Sequence, residues 1–116
     1  HALRELDLSL NKRLVSLSTL SSCTQLETLI LTGCTSLADL SGAASCAQLQ
    51  ALYLSGCSSV AAVSPLVGCA SLRVLHLNKC QSLTDAGCLG HCPSLELLNL
   101  RCSGAQLVPQ REGLRV

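Results

Sequence analysis

The sequence predicts a solenoid of the α/β class, with a parallel sheet on the concave face and short 3₁₀ or irregular crossovers on the convex face. Three observations carry that prediction. First, the chain repeats itself: lines beginning at Leu3, Leu26, Leu49, Leu72 and Leu95 start 23 residues apart and stay in register through four repeats. The second line, LETLILTGCTSLADLSGAASCAQ, and the third, LQALYLSGCSSVAAVSPLVGCAS, share L-x-x-L-x-L-x-x-C-x-x-[LV]-x-x-[LV], with a second Cys at the twenty-first position. Second, the last two leucines of L-x-x-L-x-L alternate with polar or variable residues, the period-two mark of a strand with one buried face. Third, 48% of the chain is apolar, yet Phe, Trp and Met are absent and Tyr53 is the only aromatic residue. Such a core must be assembled from many similar small layers of Leu, Val, Ala and Cys.

Each line returns the chain in the same direction, so successive strands must be parallel and joined by right-handed crossovers. Stacking then buries Leu29, Leu31, Leu52, Leu54, Leu75 and Leu77 as continuous columns. Roughly 12 to 15 residues remain per line, too few for a long helix and two loops, which predicts 3₁₀ or single-turn helical pieces. Serine, glycine and Pro65 in these segments agree. The cysteines follow the same period. Cys34, Cys57 and Cys80 form one column at the turn after the strand. Cys23, Cys46, Cys69 and Cys92 form a second at the opposite corner. Cysteine is small, readily buried and a weak hydrogen-bond donor, so seven of the nine are read as packing residues.

This pattern resembles the leucine-rich repeat family, whose signature is L-x-x-L-x-L-x-x-N/C-x-L. The first line, LRELDLSLN, places Asn11 where later lines place cysteine, an interchange characteristic of that family. CQSLTDAG, from Cys80 to Gly87, is similar to the cysteine-containing subtype. The resemblance covers Leu3 to about Leu100. The period is shorter than that subtype's usual one, and the fifth line has Ser103, Gln106 and Pro109 where Cys, Leu and an apolar residue are expected. The expected division is therefore repeats over 3–102 and a degenerate C-terminal end or partial cap over 103–116. The resemblance implies a noncatalytic protein-interaction scaffold. It also suggests the substrate-recognition arm of a ubiquitin ligase, and a purely structural spacer is the third reading.

Composition narrows the chemistry. Formal net charge is +1 and only 13% of residues are charged, so nucleic-acid binding lacks its cluster of Lys and Arg. Lys12-Arg13 reads as a solvated corner. No apolar stretch approaches the roughly 18 to 20 residues that cross a bilayer, and no signal-peptide pattern precedes the repeats. Column side chains point the same way and the cysteine total is odd, which argues against structural disulfides and for a reducing, cytoplasmic setting. In CLGHC, zinc would use Cys88, His91 and Cys92, but a structural site needs a fourth ligand and Cys92 belongs to its column. No cofactor is expected. Ser55, Asp7 and His76 share a face, yet Asp7 lies three repeats from His76, and no catalytic motif is present. His1 is assigned no role.

A candidate site remains. Solenoid curvature makes an extended binding surface, and three columns of variable residues line its sheet. One runs Asp7, Ile30, Tyr53, His76, Asn99; the next Glu5, Thr28, Ala51, Val74, Leu97; the third Ser9, Thr32, Ser55, Asn78, Arg101. Most read as solvated sheet. Ile30, Tyr53, Val74, His76, Leu97 and Asn99 are the candidate contact residues for a protein partner, with Tyr53 as the anchor. His76 would add pH sensitivity below neutrality. The absence of an amphipathic cap before Leu3 points to a piece of a longer repeat protein, or to end-to-end self-association.

Overall fold

A leucine flanked by outward-facing residues forms the centre of every strand. In the computed structural model, which describes residues 3–116 (His1 lies outside them), these strands are β1 (Glu5–Asp7), β2 (Thr28–Ile30), β3 (Ala51–Tyr53), β4 (Val74–His76) and β5 (Leu97–Asn99). All pairs are parallel, in the order β1-β2-β3-β4-β5. Leu6, Leu29, Leu52, Leu75 and Leu98 stand opposite one another along the sheet. The expected crossovers are 3₁₀ helices: η1 (Ser18–Leu20), η2 (Ser41–Ser45), η3 (Ser64–Gly68) and η4 (Gly87–His91). Asp39 Oδ1 accepts the Ser41 amide and Asp85 Oδ1 the Gly87 amide, both at 2.9 Å, fixing the entry to η2 and η4. The third line has Ala62 at this position and instead sets the backbone with Pro65 in the first turn of η3.

Between sheet and 3₁₀ layer lies one core of leucines, two valines, two alanines and six cysteines. The thiols also tie turn to turn. Cys34, Cys57 and Cys80 Sγ donate to the carbonyls of Leu8, Leu31 and Leu54 at 3.2, 3.1 and 3.0 Å. On the other corner Cys46, Cys69 and Cys92 Sγ reach Leu20, Ala43 and Leu66 O at 3.9, 3.4 and 3.7 Å. None of the nine cysteines is paired with another. Burial pushes the Cys57 thiol up to about 12 and those of Cys69 and Cys80 to about 11. Asn11 does not join this ladder. It is exposed, and its Oδ1 accepts the Arg13 amide at 3.2 Å, because no described turn lies against the outer side of the first one.

Two features were hidden in the repeat. The residue before each ladder position is left-handed: Leu10 (φ 65°), Gly33 (76°), Gly56 (73°), Lys79 (65°) and Cys102 (58°). Three of the five carry side chains in a region that favours glycine. The fifth line, moreover, is one residue short. Ser16 bridges to Asp39, 23 residues on, but Asp85 bridges to Leu107, 22 residues on. The missing residue falls at Gly104, where a Cβ would stand 2.5 Å from Gln81 O and 2.8 Å from Leu83 O. The slip carries Gln106 off the core to an exposed site and brings the partly buried Ala105 against it. Pro109 is buried, so an apolar residue does close this end of the coil. Arg111 donates to the carbonyls of Cys92 and Leu95.

Candidate functional site

The alternation that buries Leu29, Leu52 and Leu75 sends their neighbours outward, and register then aligns those neighbours between strands. Ile30 stands opposite Tyr53, Tyr53 opposite His76, and His76 opposite Asn99. Val74 stands opposite Leu97. All six candidate residues thus share one face, on two adjacent columns. The Tyr53 and His76 rings pack with centroids 4.9 Å apart and planes tilted by 57°, within the range of favourable aromatic contacts. Leu97 is 39% exposed.

Relief on this face is concentrated at its C-terminal end. An open cavity of about 430 Å³ is lined by His76, Leu97, Leu98, Asn99, Leu100, Arg101 and Val116. A second, of about 300 Å³, is lined by Arg73, Val74, Glu96, Leu97, Gly113 and Arg115. Leu97 is the wall common to both. His76 and Asn99 therefore line the first and Val74 the second, while Tyr53 joins through its ring contact with His76. Ile30 lies beyond, paired with Tyr53 but lining neither cavity. Asn99 has a structural task as well: its Oδ1 accepts the Arg101 amide at 3.0 Å and so fixes the exit from β5.

Charge is uneven along the sheet. Glu5 and Asp7 stand on β1, and hydrogen bonds from Ser9 hold the Asp7 carboxyl below its ordinary range. Around the cavities stand Arg101, Arg73 and Arg115 against the single carboxylate Glu96. Arg73 Nε binds Glu96 at 2.8 Å, which holds that carboxyl down, with Arg115 adding to the effect. Sequence reasoning placed Arg101 in the third column without choosing it. Its signal was a lone charge ending a polar column, in which Ser55 Oγ donates to Asn78 Oδ1 at 2.6 Å. Arg115 and Val116 could not be found that way, since both precede any further line in the 23-residue count.

The other groupings stay apart. Asp7 and His76 lie on strands separated by two others, so with Ser55 they form no catalytic set. In CLGHC, Cys88 is half-buried, His91 exposed, and the Cys92 thiol points to Leu66 O. No group of three or more His, Cys, Asp or Glu among the described residues is placed to hold a metal ion. No helix among them is long and apolar enough to cross a membrane.

Comparison with known proteins agrees with the coil. A family model described as leucine rich repeat matches residues 68–90, one unit running from the end of η3 through β4 to η4. Among solved structures, the chain is similar to an internalin C2 of Listeria monocytogenes, with a TM-score of 0.61 and 21% identity, over 87% of this chain and 53% of that one. It is similar also to an internalin (inlF) of the same organism, with a TM-score of 0.60 and 21% identity, over 87% of this chain and 35% of the other. The chain thus spans about half the first and about a third of the second. No curated protein sequence matches. Period, parallel coil and matched unit together give the chain a leucine-rich repeat fold.

Proposed function

We propose that the chain is a noncatalytic scaffold that binds a protein partner on its concave sheet, through Ile30, Tyr53, Val74, His76, Leu97 and Asn99. The observation that carries this reading is convergence: residues from four strands meet on one face, around cavities and a tilted Tyr53–His76 ring pair. Large side chains on a preformed surface bind with little loss of conformational freedom, and aromatic residues dominate contact energies. Cysteines buried in packing columns and left unpaired favour a cytoplasmic setting. The test is affinity capture with the wild-type chain and a Tyr53→Ala/His76→Ala variant whose fold is checked by circular dichroism. Loss of the partner in the variant supports the concave face. Recovery of the same proteins by both places binding on the convex side or the ends.

Self-association is a second reading, favoured by the first turn. Leu10 and Val15 are 71% and 61% exposed there, beside half-buried Leu6, Leu8 and Leu14. Sedimentation at increasing concentration tests it: a mass that rises for the wild type but not for Val15→Glu supports contact between copies through this end.

A further inference from the structure

The concave-face reading leaves the partner open, and the order of charges across the sheet narrows it. Besides the three outward columns that start at Glu5, Asp7 and Ser9, a fourth lies one position ahead of each strand. It runs Arg4, Glu27, Gln50, Arg73, Glu96. This column keeps register, since the amides of its last four residues each donate to the carbonyl one turn back, at 2.7 to 2.8 Å. Its signs run plus, minus, neutral, plus, minus. Arg4 meets Glu27 at 3.7 Å and Arg73 meets Glu96 at 2.8 Å, and neither pair buries its members, the least exposed side chain being Glu27 at 41%.

That order is complementary to itself read backwards. When a copy is turned face down about an axis parallel to the strands and passing over β3, each column faces itself in reverse. Arg4 then stands opposite the copy's Glu96 and Glu27 opposite its Arg73, with Gln50 on the axis. In the other columns Arg101 falls opposite Ser9, two residues from Asp7, and Ile30 falls opposite His76. Tyr53 meets Tyr53. No column sets like charges against each other. Turning the copy about an axis across the strands instead sets Glu5 against Asp7 twice, and like charges so placed oppose docking. A concave sheet meets its copy first at the outer turns, where the charges stand. It leaves most room over β3, where the Tyr53 and His76 rings pack. The axis is set by where the signs invert, at Gln50, and not by which turns come first or last.

From this order of charges we infer that the partner of the concave sheet is a second copy of the chain, docked face to face about a two-fold axis parallel to the strands at β3. Such a contact is isologous, so every pair off the axis occurs twice. Strands about 4.8 Å apart, each with about 17 Å of outward-facing chain, present roughly 400 Å² per copy. A standard interface buries about twice that area per partner. The dimer is therefore a transient one, with a Kd of about 100 μM. This rests on the concave-face reading and deepens it by naming the partner.

The test is sedimentation equilibrium of the full chain from about 10 μM to about 1 mM, with each variant's fold checked by circular dichroism. The expected result is a mass that rises towards that of a dimer. Glu27→Arg sets like charges across the axis and should weaken association about tenfold. Adding Arg73→Glu restores opposite signs there and should recover it. Within one copy the double variant keeps like charges beside Arg4 and gains them beside Glu96, so its recovery reports the contact between copies alone. Val15→Glu should leave the mass unchanged. A chain still monomeric at about 1 mM overturns the inference. Equal association of wild type and Glu27→Arg, or no recovery in the double variant, overturns it too, and dissociation by Val15→Glu then assigns the contact to the first turn. In each of these cases the concave-face reading stands if Tyr53→Ala/His76→Ala loses a captured protein, and falls if it does not.

Discussion

The left-handed residue before each ladder position shows how unevenly one backbone requirement is met. Gly33 and Gly56 adopt it without a Cβ, whereas Leu10, Lys79 and Cys102 adopt it with one. A side chain in that region costs roughly 1–2 kcal/mol, while glycine costs roughly 0.5–1 kcal/mol in chain entropy on folding. The difference favours glycine by a modest margin. Lys79→Gly should therefore raise stability by about 0.5–1 kcal/mol, and Gly56→Ala should lower it by about 1 kcal/mol, both read from urea denaturation midpoints. The Gly56 effect isolates backbone strain, because its Cβ would meet only Gly33 backbone atoms at 3.8 and 3.9 Å. At Gly33 the added atom would also collide with Leu10 Cδ2 at 2.6 Å.

At the scale of the element, the strands and their outward columns were legible because a 23-residue period leaves no choice of register: one slip would turn Leu52 or Leu75 out to solvent. The 3₁₀ crossovers were legible from their length. The path of the fifth line was not legible because a count from Leu95 assumes a constant period, and only the pairing of Asp85 with Leu107 reveals the shortened turn. The cavities were hidden for a related reason: they depend on where Gly113, Arg115 and Val116 return to β5. Gly104 makes the short turn possible. Gly104→Ala pushes a methyl group into the carbonyls of Gln81 and Leu83, and overpacking of this kind costs about 1–3 kcal/mol. Faster hydrogen exchange at the Gln106 and Leu107 amides, both bonded to Thr84 O, is the expected readout, with β2 and β3 unaffected.

For the whole molecule, the two thiol columns set a limit at high pH. Folding raises the pKa of Cys57 to about 12 and of Cys69 and Cys80 to about 11, so the folded chain keeps protons that the unfolded chain releases near its ordinary thiol range. A group raised on folding contributes its full stabilisation below the unfolded pKa and loses it as pH rises toward the folded one. Stability should thus be flat around neutrality and fall steadily above about pH 9, measured as the urea midpoint under reducing conditions. A Cys57→Ala/Cys80→Ala variant should start less stable at neutral pH and show a shallower alkaline fall.

Every thiol bond, strand pair and helix contact described above joins one turn to the next, and none skips a turn. Mechanically, that makes the molecule a chain of joints in series rather than a block. Pulled from its two ends in an optical trap, it should not rupture in a single event but peel from its weaker end. Each released turn of 23 residues should lengthen the tether by about 75–80 Å at full extension. The shortened fifth turn, fastened by Arg111 and by the strand pairing of Arg115, decides whether peeling starts there or at the turn of β1.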